Sequence, residues 1–165
     1  MFKKIAFSAL CAAVAFTSIG AAYAKDLKVA SNTTFPPFEF VNSKTNEITG
    51  FEMDLIKAMG KQAGYNVIIQ NMGFDGIIPG ILAGTVDVGA SGISITAERQ
   101  KKVLFTDPFY ESGLTILVNK NDADKIHGFA DLKGKKIAVQ IGTTAAAKAK
   151  EIPGATRSEE RRVGK

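Results

Sequence analysis

The chain has 165 residues, with one cysteine, one histidine and a formal net charge of +5. The first 24 residues and the last nine each contribute +2, which leaves +1 on residues 25–156 and argues against nucleic-acid binding. Because Cys11 precedes residue 25, the body has no disulfide, cysteine metal site or thiol nucleophile. A single histidine, His127, cannot form a His-rich metal site, so we expect it on the surface and predict no metal and no cofactor.

The N-terminus has the pattern of a secretory signal peptide. Two lysines in "MFKK" precede the apolar run "IAFSALCAAVAF", and Ala22 and Ala24 supply the small residues of a cleavage site. The apolar run is too short to span a bilayer. We therefore predict that residues 1–24 are a signal peptide cleaved after Ala24, and that the mature protein is periplasmic.

Strand-like and helix-like segments alternate after residue 25, which predicts an α/β domain with a largely parallel sheet. The predicted elements are a strand at Leu27–Ser31, a helix along "FEMDLIKAMGKQAG" that ends near Gly64, a strand at Tyr65–Asn71, a helix at Gly76–Thr85 and a strand at Val86–Ala90. Helical spacing places five residues on one face of the first helix: Phe51, Leu55, Ala58, Met59 and Gln62. The second helix tolerates Pro79 only near its first turn.

The remainder of the chain predicts the beginning of a second lobe. "VLFT" and Leu114–Val118 are extended segments, the latter a strand that leaves the first lobe. "GKKIAVQIGTTAAAKAKE" predicts a strand, a turn and a helix, for which we expect no partner strand before the natural sequence ends near Thr156. The final "RSEERRVGK" is either a solvated charged tail or, as we expect, an artefact, because it matches the conceptual translation of a sequencing adapter. The predicted domains are 25–113 (lobe one), 114–119 (hinge strand), 120–156 (partial lobe two) and 157–165 (artefact tail).

Four loops follow predicted strand ends, where open α/β sheets bind ligands: "NTTFPPF", "GFDG", "SGISITAER" and "GTT". In the third loop, the planar fork of Arg99 matches a carboxylate, and the Ser94 hydroxyl can assist it. The Gly92 carbonyl can accept from an ammonium group, so this loop suits an α-amino acid backbone. The alternative is that Thr96 caps a helical turn on which Arg99 faces water with its neighbouring lysines.

Aromatic and hydroxyl side chains in the other loops allow two interpretations each. Phe35 and Phe74 either belong to the core or flank a flat ligand side chain. Gly142–Thr144 either holds a polar ligand group at the start of a helix or forms a plain turn with a threonine cap. Asp75 and Glu111 are the only acids that we identify near these motifs, and both have ordinary turn or surface roles.

Together these segments resemble the periplasmic solute-binding proteins, family 3, which bind polar amino acids for ABC importers. The resemblance rests on "FPPFEF", "GFEMDLIKAMGKQ", "GFDGIIPGILAGTVDVGASGISITAERQKKVLFTDPFYESGLTILV" and "DLKGKKIAVQIGTT". It implies the periplasmic binding protein type 2 fold, two α/β lobes that close on a ligand. Lobe one would be nearly complete, with only the start of lobe two present, so we expect this chain to bind amino acids poorly.

The resemblance also implies roles for individual residues. Arg99 and Ser94 would bind the α-carboxylate, and Gly92, beside Ser91, would accept from the ammonium. The remaining predicted ligand-binding residues are Phe35 and Phe74 beside the ligand side chain, Asn32 and Gln140 at its polar end, and Thr143 and Thr144 as donors from lobe two. Basic-amino-acid binders of this family usually carry aspartate where Asn32 stands, so glutamine is our first hypothesis for the ligand.

The predicted function is therefore a non-enzymatic receptor. We expect a monomer without catalytic residues, which binds a free amino acid and delivers it to an inner-membrane ABC permease. The alternatives are an enzyme that resembles cyclohexadienyl dehydratase on the same scaffold, and a sensor module.

Overall fold

The computed structural model describes residues 24–160. Its strands and helices are β1 (Lys25–Ser31), β2 (Thr34–Phe35), β3 (Glu39–Val41), β4 (Ile48–Thr49), α1 (Phe51–Gln62), β5 (Tyr65–Asn71), α2 (Phe74–Leu82), β6 (Val88–Gly89), α3 (Ala97–Gln100), β7 (Lys136–Gln140), α4 (Thr144–Lys150) and β8 (Thr156–Glu160). Two 3-10 helices lie at Lys120–Asp122 and Phe129–Leu132. Within this described part, no helix is long and apolar enough to cross a membrane. The predicted signal peptide lies outside it, apart from Ala24.

A parallel three-stranded sheet with the order β5-β1-β6 forms the centre of the first lobe. β1 pairs with β5 over its whole length, from Lys25 opposite Tyr65 to Ser31 opposite Asn71. The helices α1 and α2 provide the crossovers that parallel strands require. The predicted α/β class is confirmed, and the carboxyl ends of all three strands meet at one edge of the sheet.

Two small hydrophobic clusters pack on opposite faces of β1, because successive residues of a strand point to opposite sides. Val29 packs with Met53 of α1 and Ala90. The next residue, Ala30, packs with Ile77 of α2 and with Val86. Complete burial of a side chain such as Met53 or Ile77 contributes roughly 1.5–3 kcal/mol. These contacts hold β1 between the two helices and fix the loop that follows it.

The buried face of α1 differs from the prediction. Glu52, Met53 and Gly60 are its buried residues, whereas Phe51, Ala58 and Met59 are exposed. Gly60 is the reason: a Cβ at this position would collide with the Val67 side chain, so the helix packs through its glycine. A pattern search that counts apolar side chains cannot detect a face built around a residue without one. The predicted end of the helix near Gly64 is confirmed.

The start of α2 also differs from the prediction. The helix begins at Phe74 rather than Gly76, so Pro79 lies in its interior and not in its first turn. Proline donates no backbone hydrogen bond, and the helix loses one of its few internal bonds there. The helix ends at Leu82, and Gly84 follows with a φ of +69°, which favours glycine.

The predicted strand–turn–helix unit of the second lobe is confirmed by β7 and α4. No strand pairs with β7 before residue 156, and its parallel partner β8, from Thr156 to Glu160, lies almost wholly in the predicted tail 157–165. All five residues of β8 are exposed, so the pairing rests on backbone hydrogen bonds rather than on a buried apolar face. His127 is exposed in a turn, as predicted.

The strand predicted at Leu114–Val118 does not form in the structure. Residues 104–119 contain neither helix nor strand, and the side chains of Leu104 and Leu117 are both 99% exposed. A strand needs a neighbouring strand for its backbone groups, and none pairs with this segment among residues 24–160. The hinge and the other domain boundaries stay predictions.

Candidate functional site

Asn32 connects three loops at the carboxyl edge of the central sheet. It is buried directly after β1, and its backbone N–H donates to Ser91 Oγ at 2.9 Å. Its Nδ2 donates to the Met72 carbonyl at 3.1 Å. Its Oδ1 accepts from Thr34 Oγ1 at 2.9 Å and from Gln140 Nε2 at 2.8 Å. The last of these bonds joins the first lobe directly to the end of β7.

Arg99 turns its guanidinium into the space between the lobes. One terminal nitrogen donates to the Ser94 carbonyl at 2.8 Å, and the other donates to the Gly142 carbonyl at 3.0 Å. The guanidinium carbon also lies 5.6 Å from the centroid of the Phe74 ring, a cation–π distance. Partial burial lowers the pKa of Arg99 from its ordinary value, but an arginine remains charged in proteins.

Both interpretations of the "SGISITAER" loop are partly realised. Thr96 does cap α3, because its Oγ1 accepts from the Arg99 backbone N–H at 3.2 Å. Lys101 and Lys102 are exposed, as the capping interpretation requires, whereas Arg99 is only half-exposed. The cap therefore directs Arg99 inwards while the two lysines after it face water.

The two predicted aromatic residues lie in different surroundings. The ring of Phe35 stacks on Phe38 with centroids 5.7 Å apart, and a Cβ at Gly92 would touch it at 3.7 Å. Phe74 begins α2 and lies beneath Arg99. Phe35 thus borders the Gly92 turn, and Phe74 borders the predicted carboxylate position.

The turn after β7 uses its threonines unequally. Thr143 caps α4: its Oγ1 accepts from the Ala146 N–H at 3.1 Å and donates to the Gln140 carbonyl at 2.7 Å. Thr143 therefore fits the interpretation of a plain turn with a threonine cap, because both hydrogen bonds of its hydroxyl lie within the turn. Gly142 has a φ of +78°, and a Cβ there would lie 3.1 Å from the Cα of Asp75. The two lobes approach each other closely at this glycine.

A cleft of about 470 Å³ lies between α2, α3 and the start of α4. Four of the predicted residues line it: Phe74, Arg99, Thr143 and Thr144. The other six are not in its lining: Asn32, Phe35, Ser91, Gly92, Ser94 and Gln140. The predicted residues therefore form two groups in the structure, four that line this cleft and six that lie outside its lining. The Asn32–Gln140 and Arg99–Gly142 hydrogen bonds cross directly between the lobes.

Two buried acids, Glu39 and Glu52, lie at the site, although only Asp75 and Glu111 were expected near its motifs. Neither Glu39 nor Glu52 was predicted to belong to the site. Glu39 is 1% exposed and accepts from Ser91 Oγ at 3.3 Å. Glu52 is 5% exposed, and its Oε2 accepts from the Gly92 N–H at 2.6 Å. The sequence does contain a signal for their burial. Glu39 is the first acid in the apolar motif "FPPFEF", and Glu52 is the first acid in "GFEMDL".

Burial changes the protonation of both carboxyl groups. It raises the pKa of Glu39 to about 9, with further increases from the charge of Glu52 and from a hydrogen bond to it. Burial also raises the pKa of Glu52, but the hydrogen bond from the Gly92 N–H opposes that change. At neutral pH, Glu39 is therefore protonated, and the hydrogen bond from the Gly92 N–H favours the charged form of Glu52. Among residues 24–160, no group of three or more His, Cys, Asp or Glu residues could hold a metal ion.

The sequence profile of the bacterial extracellular solute-binding proteins, family 3, matches residues 27–160. The chain belongs to this family. It is 40% identical over 142 residues to the ABC transporter arginine-binding protein 1 of Escherichia coli K12, and the match covers 86% of this chain and 56% of that protein. Other relatives are named as histidine-binding proteins. The chain thus spans about half the length of the curated relatives it matches.

Solved structures of related proteins match this fold, again over most of this chain and about 60% of theirs. An ancestral arginine-binding protein bound to arginine superposes with a TM-score of 0.79 at 40% identity, over 84% of this chain and 62% of that one. The ancestral amino acid-binding protein AncCDT-1, described as a precursor of cyclohexadienyl dehydratase, superposes with a TM-score of 0.77 at 43% identity, over 82% and 60%. The two-lobe architecture with a partial second lobe agrees with these matches.

Proposed function

We propose that the whole protein is a periplasmic amino-acid receptor that delivers its ligand to an inner-membrane ABC permease. The observation that carries this proposal is the position of Arg99 and Glu52 at the two ends of one loop. The Arg99 guanidinium lies at one end of the "SGISITAER" loop, and the Glu52 carboxylate lies beneath Gly92 at the other. An α-amino acid has the complementary arrangement, with a carboxylate for Arg99 and an ammonium for the side of Gly92.

The hydrogen bonds of Arg99 support this orientation of the ligand. In the structure, its guanidinium donates to two neutral backbone carbonyls. A ligand carboxylate is a stronger acceptor, because charge-assisted bonds to arginine are shorter and can form in parallel pairs. We infer that the ligand carboxylate displaces the Gly142 carbonyl, so that the lobes separate here and close again around the ligand.

We propose arginine, rather than glutamine, as the first ligand to test. The glutamine hypothesis rested on Asn32 and Gln140, but an amide oxygen can also accept a hydrogen bond from a guanidinium group. Several relatives are named for arginine, and none of those described above is named for glutamine. The Phe74 ring, which lies 5.6 Å from the guanidinium carbon of Arg99, supports a site whose aromatic side chains are compatible with cations.

Calorimetric titration of the whole protein with arginine, histidine, lysine and glutamine tests this proposal. We expect arginine to bind most tightly and glutamine at least about tenfold more weakly, which corresponds to about 1.4 kcal/mol. Tightest binding of glutamine would overturn the ligand assignment but keep the receptor. Absence of binding by all four, together with conversion of prephenate to product, would instead identify the dehydratase-like enzyme.

A further inference from the structure

Glu39 and Glu52 lie outside the proposed carboxylate clamp, yet they meet beneath the turn that faces the ligand. Glu39 comes from β3 and Glu52 from the first turn of α1. Each accepts a hydrogen bond from the same short turn, Glu39 from Ser91 and Glu52 from Gly92. Two separate elements therefore fix this turn through buried carboxyl groups.

We propose that Glu39 and Glu52 share one proton and act as positioning residues that hold the Ser91–Gly92 turn in its ligand-binding conformation. This inference rests on the proposed function, because the turn matters only if an amino acid binds beside it. The pair touches the turn from beneath and does not need to touch the ligand.

The geometry of Gly92 shows why the turn needs support. Gly92 has a φ of +54°, in the left-handed region that side chains disfavour. A Cβ there would make only ordinary contacts of 3.6–3.7 Å with Glu39 and Phe35, so the backbone angle rather than space requires glycine. A glycine also visits many other conformations, and the 2.6 Å hydrogen bond to Glu52 selects this one.

The proton is required because nothing else neutralises the pair. The polar groups that face it are the Ser91 hydroxyl and the backbone N–H groups of Ser91 and Gly92, and none of the ion pairs among residues 24–160 includes either glutamate. The Oε2 atom of Glu39 is buried and accepts no hydrogen bond within this part of the chain. Adjacent buried carboxylates do not both ionise, so one retains a proton. We place that proton on Glu39, because burial and the neighbouring Glu52 raise its pKa and its Oε2 has no other partner in this part of the chain.

Loss of the proton in alkaline solution should release the turn. The pKa of Glu39 is about 9, so above that pH both groups are charged and repel each other. The Gly92 N–H then loses its fixed acceptor. Glu39→Gln imitates the protonated form and removes this titration, whereas Glu52→Gln removes the charge that accepts from Gly92.

The amide proton of Gly92 reports the hydrogen bond without any ligand. We would follow it by NMR in the full chain, labelled with ¹⁵N-glycine, from pH 6 to 10. In the wild type we expect a downfield resonance that moves upfield with a midpoint near pH 9. Glu39→Gln should keep the downfield position and lose the titration, and Glu47→Gln, at an exposed site, should behave like the wild type. A resonance that does not titrate in the wild type, or that titrates equally in Glu39→Gln, would overturn the proposal.

Arginine binding separates this inference from the proposed function. In the whole protein at pH 7, we expect Glu39→Gln to bind arginine within about twofold of the wild type and Glu52→Gln at least about tenfold more weakly. Equal affinity of Glu52→Gln and wild type would refute the positioning role alone. If the wild type binds no amino acid, the proposed function fails, while the Gly92 titration still decides whether the pair shares a proton.

Discussion

Replacement of Glu39 with glutamine should change how the stability of the protein depends on pH. The pKa of this carboxyl group rises from an ordinary 4.5 to about 9 on folding, chiefly because the group is buried. Between these values the folded state binds one proton more than the unfolded state. The stability that this proton supports is complete below about pH 4.5 and is lost as the pH rises towards 9.

The magnitude follows from the linkage between protons and folding. A difference of one bound proton changes the free energy of unfolding by about 1.4 kcal/mol per pH unit. Between pH 6 and pH 8, the wild type should therefore lose about 2.7 kcal/mol that Glu39→Gln does not lose. The variant keeps the shape of the side chain and can still donate to Glu52, so its folded state should remain intact.

Urea denaturation of the full chain at pH 6, 7 and 8 measures this difference. The free energies of unfolding of wild type and Glu39→Gln should diverge steadily, while those of wild type and Glu47→Gln should run parallel. If the curves of wild type and Glu39→Gln were parallel over this range, Glu39 would be ionised at neutral pH. The shared proton would then be refuted.

Two further predictions concern glycine and threonine residues. Gly60→Ala should destabilise the protein by about 1–3 kcal/mol, despite the higher helix propensity of alanine, because a Cβ collides with Val67. A Cβ at Gly76 in α2 would meet open space, so Gly76→Ala should stabilise the protein by about 0.5–1 kcal/mol. If urea denaturation showed free-energy changes of the same sign for both variants, this packing of α1 would be refuted. Thr143→Ala should cost about 1 kcal/mol through the lost cap of α4, whereas Thr144→Ala should cost less; equal losses in thermal unfolding would contradict the capping role.

Local signals were sufficient to predict much of the fold. β1 and β5 are short apolar segments bounded by polar residues, and the α/β alternation follows from them directly. The face of α1 could not be predicted in this way, because Gly60 packs through the absence of a side chain. The start of α2 was misplaced because a proline usually marks a first turn, whereas here the helix accepts Pro79 in its interior.

The candidate site shows the same division between local and tertiary information. Thr96 and Arg99 lie within one short motif, so the cap that joins them could be predicted from the sequence. Glu39 and Glu52 acquire their properties only when β3, α1 and the Ser91–Gly92 turn come together. Burial, and not residue type, makes them different from exposed glutamates, and the sequence does not state how deeply the start of a strand or of a helix will be covered.

The most direct test of the central claim is the affinity of the whole protein for arginine when Arg99 is changed. If its guanidinium binds the ligand carboxylate, Arg99→Ala removes two charge-assisted hydrogen bonds worth roughly 1.5–3 kcal/mol each. Calorimetry should then show at least about 100-fold weaker binding for Arg99→Ala, an intermediate loss for Arg99→Lys and no change for Lys101→Ala, which alters an exposed cation two positions further along the chain. Binding of arginine by Arg99→Ala within about twofold of the wild type would contradict the account.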